Sequence, residues 1–152
     1  MNKQNITDLL PHRGKMLLID RIIRWGREKD GNPSFVHTET AITEKNVFFD
    51  AELGGVPSFT GFELMAQSAA ALSRLLAPSD EPPSLGVIAS VSKLSAPLPV
   101  FPEGRTVRTE VTQDFAAGGT VMLSGRCIVI FADGTEQCAV QARLTAVRGN
   151  IL

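Results

Sequence analysis

One long apolar helix set among six strand-like stretches predicts an α+β chain in which an antiparallel sheet wraps a single helix. Three observations carry this. The segment from Ser58 to Leu76 is small or apolar nearly all round, as a helix enclosed by its neighbours must be. Two strand-like stretches precede it and four follow, with none of the crossover helices that parallel pairing needs. The last four are joined by short turn sequences, among them "AAGG" and the Asp133-Gly134 pair, which suit tight hairpins between antiparallel strands.

The elements follow in order. "NITDLL" suits one or two helical turns capped by Asn5 or Thr7, ended by "LPHRGK" with Pro11 and Gly14. "MLLIDRIIRW", Met16 to Trp25, is β-branched and apolar enough for a strand, and "KDGNP" is a turn. From Ser34 to Ile42, Phe35, His37, Glu39 and Ala41 alternate with Val36, Thr38, Thr40 and Ile42, the period of a half-buried strand. The helix comes next, and its alanines at 66, 69, 70 and 71 let a sheet approach closely. "APSDEPPS", residues 77–84, is a loop leaving the helix. The strands "LGVIASVSKL", "RTVRTEVTQDF", "TVMLSGRCIVIF" and "EQCAVQARLTAV" complete the chain. A six-stranded antiparallel sheet around one central helix is the hot-dog architecture, here expected as a single domain over 1–152.

Composition excludes several classes. The chain has 152 residues, 43% hydrophobic and 20% charged, with net charge −1, so it can build a core and shows no basic nucleic-acid surface. No stretch reaches the length of a membrane span. The first residues, "MNKQNITDLLPHRGK", lack a continuous apolar segment and a small-residue cleavage site, which points to the cytoplasm. Cys127 and Cys138 flank the "ADGT" turn. A two-residue hairpin there would set residue 129 opposite 138, making the cysteines diagonal neighbours on one face. That is too far apart for an easy disulfide, and free thiols are expected. No His or Cys pair has metal-ligand spacing and no glycine-rich phosphate loop is present, so no metal is expected.

Glu63 stands out as a carboxylate near the start of an apolar helix. Thr60-Gly61-Phe62-Glu63 has the spacing of a capping box, and a carboxylate there also meets the favourable helix dipole. Gln67, Ala70 and Arg74 continue its stripe, which by default faces solvent or an interface. His12, between Pro11 and Arg13, reads as a loop-holding histidine. His37 reads as a partly buried or edge histidine on a strand. Asp50 and Glu52 read as solvated loop acids.

Three segments bear a family resemblance. "LPHRGKMLLIDRII", "PSFTGFELMAQ" from Pro57 to Gln67, and "KLSAPLPVFPEGRTV" from Lys93 to Val107 resemble β-hydroxyacyl-acyl-carrier-protein dehydratases. "LPHR" and "GVPSFTGFELMAQSAA" are similar to the dehydratase-like proteins of aryl-polyene biosynthesis clusters. The resemblance implies a homodimer or heterodimer acting on acyl thioesters of acyl-carrier protein or coenzyme A, with no dissociable cofactor. It implies Glu63 as the catalytic acid, Gln67 as a substrate-pocket hydrogen-bonding residue, and Ser58 as the amide that binds the thioester carbonyl. The family's histidine base falls on Phe49 in a loop that reads "FFDAELGGVP". The expected function is therefore β-hydroxyacyl dehydration. A thioesterase on the same fold and a non-catalytic partner subunit of an active dehydratase are the alternatives.

Overall fold

In the computed structural model, residues 6–10, 14–27, 34–77 and 86–148 are described. A helical turn α1 (Ile6–Leu9) and a 3-10 turn (Gly14–Met16) lead to strands β1 (Arg21–Arg27), β2 (Ser34–Ala41) and β3 (Gly55–Pro57). A second 3-10 turn (Ser58–Thr60) runs into helix α2 (Gly61–Leu76). Strands β4 (Gly86–Ser95), β5 (Val100–Pro102), β6 (Thr106–Ala117), β7 (Thr120–Ile130) and β8 (Glu136–Arg148) follow. Six strands form one sheet in the order β1-β2-β6-β7-β8-β4, and every pairing is antiparallel.

Alternation along each strand decides which side meets the helix. On β2, Val36, Thr38 and Thr40 are buried while Phe35, His37 and Glu39 are only half-buried; β6 and β7 bury Val107, Thr109, Val111, Val121, Leu123 and Cys127 in the same way. These inward side chains close over Leu64, Met65 and Leu72 of α2, while Ala71 packs with Leu10 and Ile19. Glycine allows the closest approach. A Cβ on Gly125 would lie 2.7 Å from Met65 Sδ, and one on Gly61 would lie 2.7 Å from Val140 Cγ1, separations that packed atoms do not tolerate.

The hot-dog expectation holds, and several local expectations do not. The first strand begins at Arg21 rather than Met16, because Gly14–Met16 forms a 3-10 turn and the backbone from 16 to 18 bonds to α2 instead of a strand. Thr7 lies inside α1 rather than capping it. Strands β3 and β5 pair as a separate two-stranded sheet beside the helix start. The "AAGG" turn is as expected: Ala117 pairs with Thr120, and Gly118 and Gly119 have φ of 59° and 79°, the left-handed pair a two-residue hairpin uses.

The β7–β8 hairpin differs in register. Phe131 N–H donates to Thr135 O and Gly134 N–H to Phe131 O, so the loop holds one residue more than a two-residue turn. Ile128 then pairs with Cys138 and Cys127 with Val140, with Ala139 as the extra residue between them. The two cysteines are therefore not diagonal neighbours on one face. Both are free thiols. Asn5, His12, the "KDGNP" turn and most of the 77–84 loop lie outside the described residues. Among the described residues, no helix is long and apolar enough to cross a membrane.

Candidate active site

The helix start is built by short-range geometry and one long-range support. Pro57 pairs with Val100 in the small sheet, and Ser58 N–H donates to Pro99 O at 2.8 Å. These contacts fix where the chain turns into the helix. Thr60 is helical, with φ −68° and ψ −7°, and makes no side-chain cap bond. Its hydroxyl donates instead to Pro57 O at 2.7 Å. The expected capping box is absent, because the preceding 3-10 turn already holds Thr60 in a helical conformation, whereas an N-cap needs an extended one.

Glu63 is half-buried in the first turn of α2, and Gln67 one turn later is fully enclosed. Gln67 Oε1 accepts from Leu18 N–H at 3.0 Å, and its Nε2 donates to Met16 O at 2.7 Å and to Glu63 Oε1 at 3.4 Å. This corrects one expectation: Gln67 belongs to no solvated stripe, since it is buried and its amide is engaged within the chain. It positions Glu63 and ties the N-terminal segment to the helix. Sequence spacing alone could have paired Glu63 with Gln67 at i,i+4; nothing in it signals the backbone groups of Met16 and Leu18.

Ser58, whose N–H is expected to bind a thioester carbonyl, donates that N–H to Pro99 O within this chain. Its buried hydroxyl has no hydrogen-bond partner among the described residues. The early amides of α2 remain a source of positive potential near Glu63.

Phe49 packs against the main hydrophobic cluster, so the position of the expected base is a hydrocarbon ring. Asp50 Oδ1 accepts from the N–H groups of Glu52 and Leu53 at 2.9 and 3.4 Å, which makes it a loop-shaping residue, and Glu52 is exposed. His37 faces away from α2, with its Nδ1 3.9 Å from Glu110 Oε2. Burial holds its pKa below the usual value; Glu110 opposes that shift, and Arg24, Arg108 and Arg126 reinforce it. Within this chain, the sheet stands between His37 and the helix that bears Glu63. A carboxylate on a helix start is thus present, while no described histidine reaches it.

The sequence model of the ApeP-like family, described as ApeP dehydratase, matches residues 4–150. The chain belongs to the ApeP-like dehydratase family. Among the relatives of this ApeP-like chain is the 3-hydroxyacyl-[acyl-carrier-protein] dehydratase FabZ of Erwinia tasmaniensis, 28% identical over 142 residues and 90% of each chain. The FabZ of Chlamydia trachomatis is 29% identical over 120 residues, 76% of each. Among solved structures, the dehydratase heterocomplex ApeI:P from Xenorhabdus doucetiae matches with TM-score 0.80 at 18% identity, over 97% of this chain and 93% of the other. The Escherichia coli PaaI protein of the phenylacetic acid degradation operon matches with TM-score 0.59 at 12% identity, over 84% and 81%. At these identities the structural likeness is one of fold.

Proposed function

We propose that this ApeP-like chain is one subunit of a 3-hydroxyacyl-thioester dehydratase. It supplies Glu63 as the acid, and a histidine-bearing subunit related to FabZ supplies the base. The observation that carries this reading is the pairing of a positioned Glu63 with a core-packed Phe49 at the expected base position. The family membership and the ApeI:P likeness support it. The substrate is an acyl thioester of acyl-carrier protein or coenzyme A, and the setting is cytoplasmic fatty-acid-like or polyene synthesis.

In this reaction the base removes a proton from C2 of the substrate. The electron pair forms the C2–C3 double bond, and the C3 hydroxyl leaves with the Glu63 proton as water. The products are an enoyl thioester and water, and the base returns its proton to Glu63 through solvent. Negative charge accumulates on the thioester oxygen during proton removal, and donors aimed at it lower the barrier. The early amides of α2 have that polarity. Ser58 would serve as a carbonyl contact through its hydroxyl, which has no partner among the described residues, or through its amide after release from Pro99.

The test measures enoyl-thioester formation from a 3-hydroxyacyl thioester by this chain alone and mixed with a histidine-bearing dehydratase subunit. The chain alone should show little turnover. The mixture should be active, and Glu63→Gln in this chain should lower its rate by ~100-fold or more, the usual scale for a general acid. Equal rates with wild-type and Glu63→Gln chains would reduce this subunit to a scaffold. Release of free thiol without enoyl product would favour the thioesterase.

A further inference from the structure

The face of the sheet turned away from α2 carries two adjacent cross-strand rows that end at β4. In one, His37 pairs with Glu110, Glu110 with Arg126, and Arg126 with Gln141. In the next, Thr112 pairs with Ser124, Ser124 with Arg143, and Arg143 with Ser92. Together they floor a groove of about 480 Å³, and Lys93 closes it from β4.

Lys93 is placed there by an irregularity in the strand. Ser92 pairs with Arg143 and Ser95 with Gln141, so β4 carries one residue more than β8 between these pairs. Within that bulge Lys93 has φ 52°, and it is the only described residue other than glycine with positive φ. Such a conformation is costly for a residue with a Cβ, and bulges commonly re-aim a side chain. Here the side chain re-aimed is a cation, and it lines the groove.

The charge of the lining is unbalanced. Lys93, Arg126 and Arg143 line the groove with one carboxylate, Glu110, and the Asp114 carboxylate beside the groove accepts from the Ser124 hydroxyl. Glu110 is already held by Arg126 at 2.7 Å and Arg108 at 2.8 Å. Among the described residues neither Lys93 nor Arg143 has an acidic partner. Two unpaired cations thus converge on one concavity in a chain whose net charge is −1. A guanidinium offers a planar fork of donors and an ammonium a compact charge, the pair of groups that suits a phosphate. The Gln141 carboxamide adds a neutral donor at the same rim. The groove is larger than a bare phosphate, which leaves room for an organic body.

We propose that this groove is a phosphate-binding site, in which Lys93 and Arg143 hold the phosphate of a phosphomonoester. It lies across the sheet from Glu63 and does not depend on the dehydratase reading.

The test is a two-dimensional amide NMR titration of the full chain at constant ionic strength. Its arms are inorganic phosphate, adenosine monophosphate and adenosine. Saturable shifts at Lys93, Ser124, Gln141 and Arg143 are expected with both phosphate-bearing probes, with dissociation constants of about 1 mM or below for the nucleotide. Tighter binding of the nucleotide supports an organic phosphate ligand, and equal or weaker binding overturns that part of the assignment. Lys93→Gly removes the cation while keeping a residue suited to positive φ, and Arg143→Gln removes the other. Each should weaken binding by at least about fivefold, about 0.7 of a unit in log affinity. No saturable shift with either phosphate probe, equal shifts with adenosine, or undiminished binding in the folded double variant would overturn the proposal.

Discussion

Gln67 donates to Glu63 Oε1 at 3.4 Å while its other bonds reach Met16 O at 2.7 Å and Leu18 N–H at 3.0 Å. The carboxylate of the helix start is thereby linked to the segment that precedes β1. Replacing Gln67 with leucine preserves volume but strands two backbone groups and releases Glu63. Unmet buried polar groups each cost about 1–3 kcal/mol. Gln67→Leu should therefore lower stability by roughly 2–4 kcal/mol in chemical denaturation. A loss within about 0.5 kcal/mol, the range of an ordinary surface change, would show that this link is not holding the segment.

Gly61 sets two effects against each other. Alanine should favour the helix by about 1 kcal/mol. Its Cβ, however, would meet Val140 Cγ1 at 2.7 Å, Cys127 Sγ at 3.0 Å and Phe101 Cζ at 3.2 Å. Val140, Cys127 and Phe101 are all fully buried and have little room to move. Overpacking of that kind costs about 1–3 kcal/mol, so Gly61→Ala should destabilise on balance. A rise in melting temperature would contradict this.

The two thiols should differ sharply in reactivity. Cys127 is fully buried, and burial pushes its thiol up to about 12, while Cys138 is only half-buried. Because the thiolate is the reactive form, iodoacetamide should modify Cys138 first in the folded protein. Cys127 should react only after denaturation, when both thiols titrate without reductant. Equal labelling in the native state would refute the placement.

His37 should titrate below its ordinary value of 6.5, because burial disfavours the imidazolium more than Glu110 favours it. Glu110 is depressed from 4.5: burial would raise it, but hydrogen bonds from Arg126 and Arg108 outweigh that. Linkage gives both shifts the same sign. The His37 contribution is complete above about pH 6.5 and is lost as pH falls through the lower folded value. The Glu110 contribution follows at more acid pH, complete above its unfolded value and lost as pH falls through the folded one. Stability should therefore fall on acidification, and His37→Phe should flatten the decline between about pH 7 and 5. An NMR midpoint for His37 at or above 6.5, with the ring resonance assigned by a His12→Gln variant, would reverse the sign.

The alternation of β2, β6 and β7, the near-continuous apolar character of α2 and the turn at Gly118-Gly119 were all legible in the sequence, and they sufficed for the hot-dog architecture. They are local signals: each reports which side chains share a face, and one sheet with one helix leaves few ways to bury those faces. Glu63 at the helix start was legible for the same reason, as was its i,i+4 partner Gln67. What the tertiary structure alone decided depends on groups that carry no side-chain pattern. The backbone of Met16 and Leu18 turned Gln67 from a solvated residue into a buried support, and the Pro99 carbonyl occupied the Ser58 amide. The 3-10 turn displaced the Thr60 cap, and the extra residue in the β7–β8 turn set Cys138 opposite Ile128 and so separated the cysteines. The bulge at Lys93 turned an edge strand toward a groove on the opposite face. Backbone hydrogen bonds and bulges are chosen by which distant segments pack together, and a chain read residue by residue has not yet brought those segments into contact.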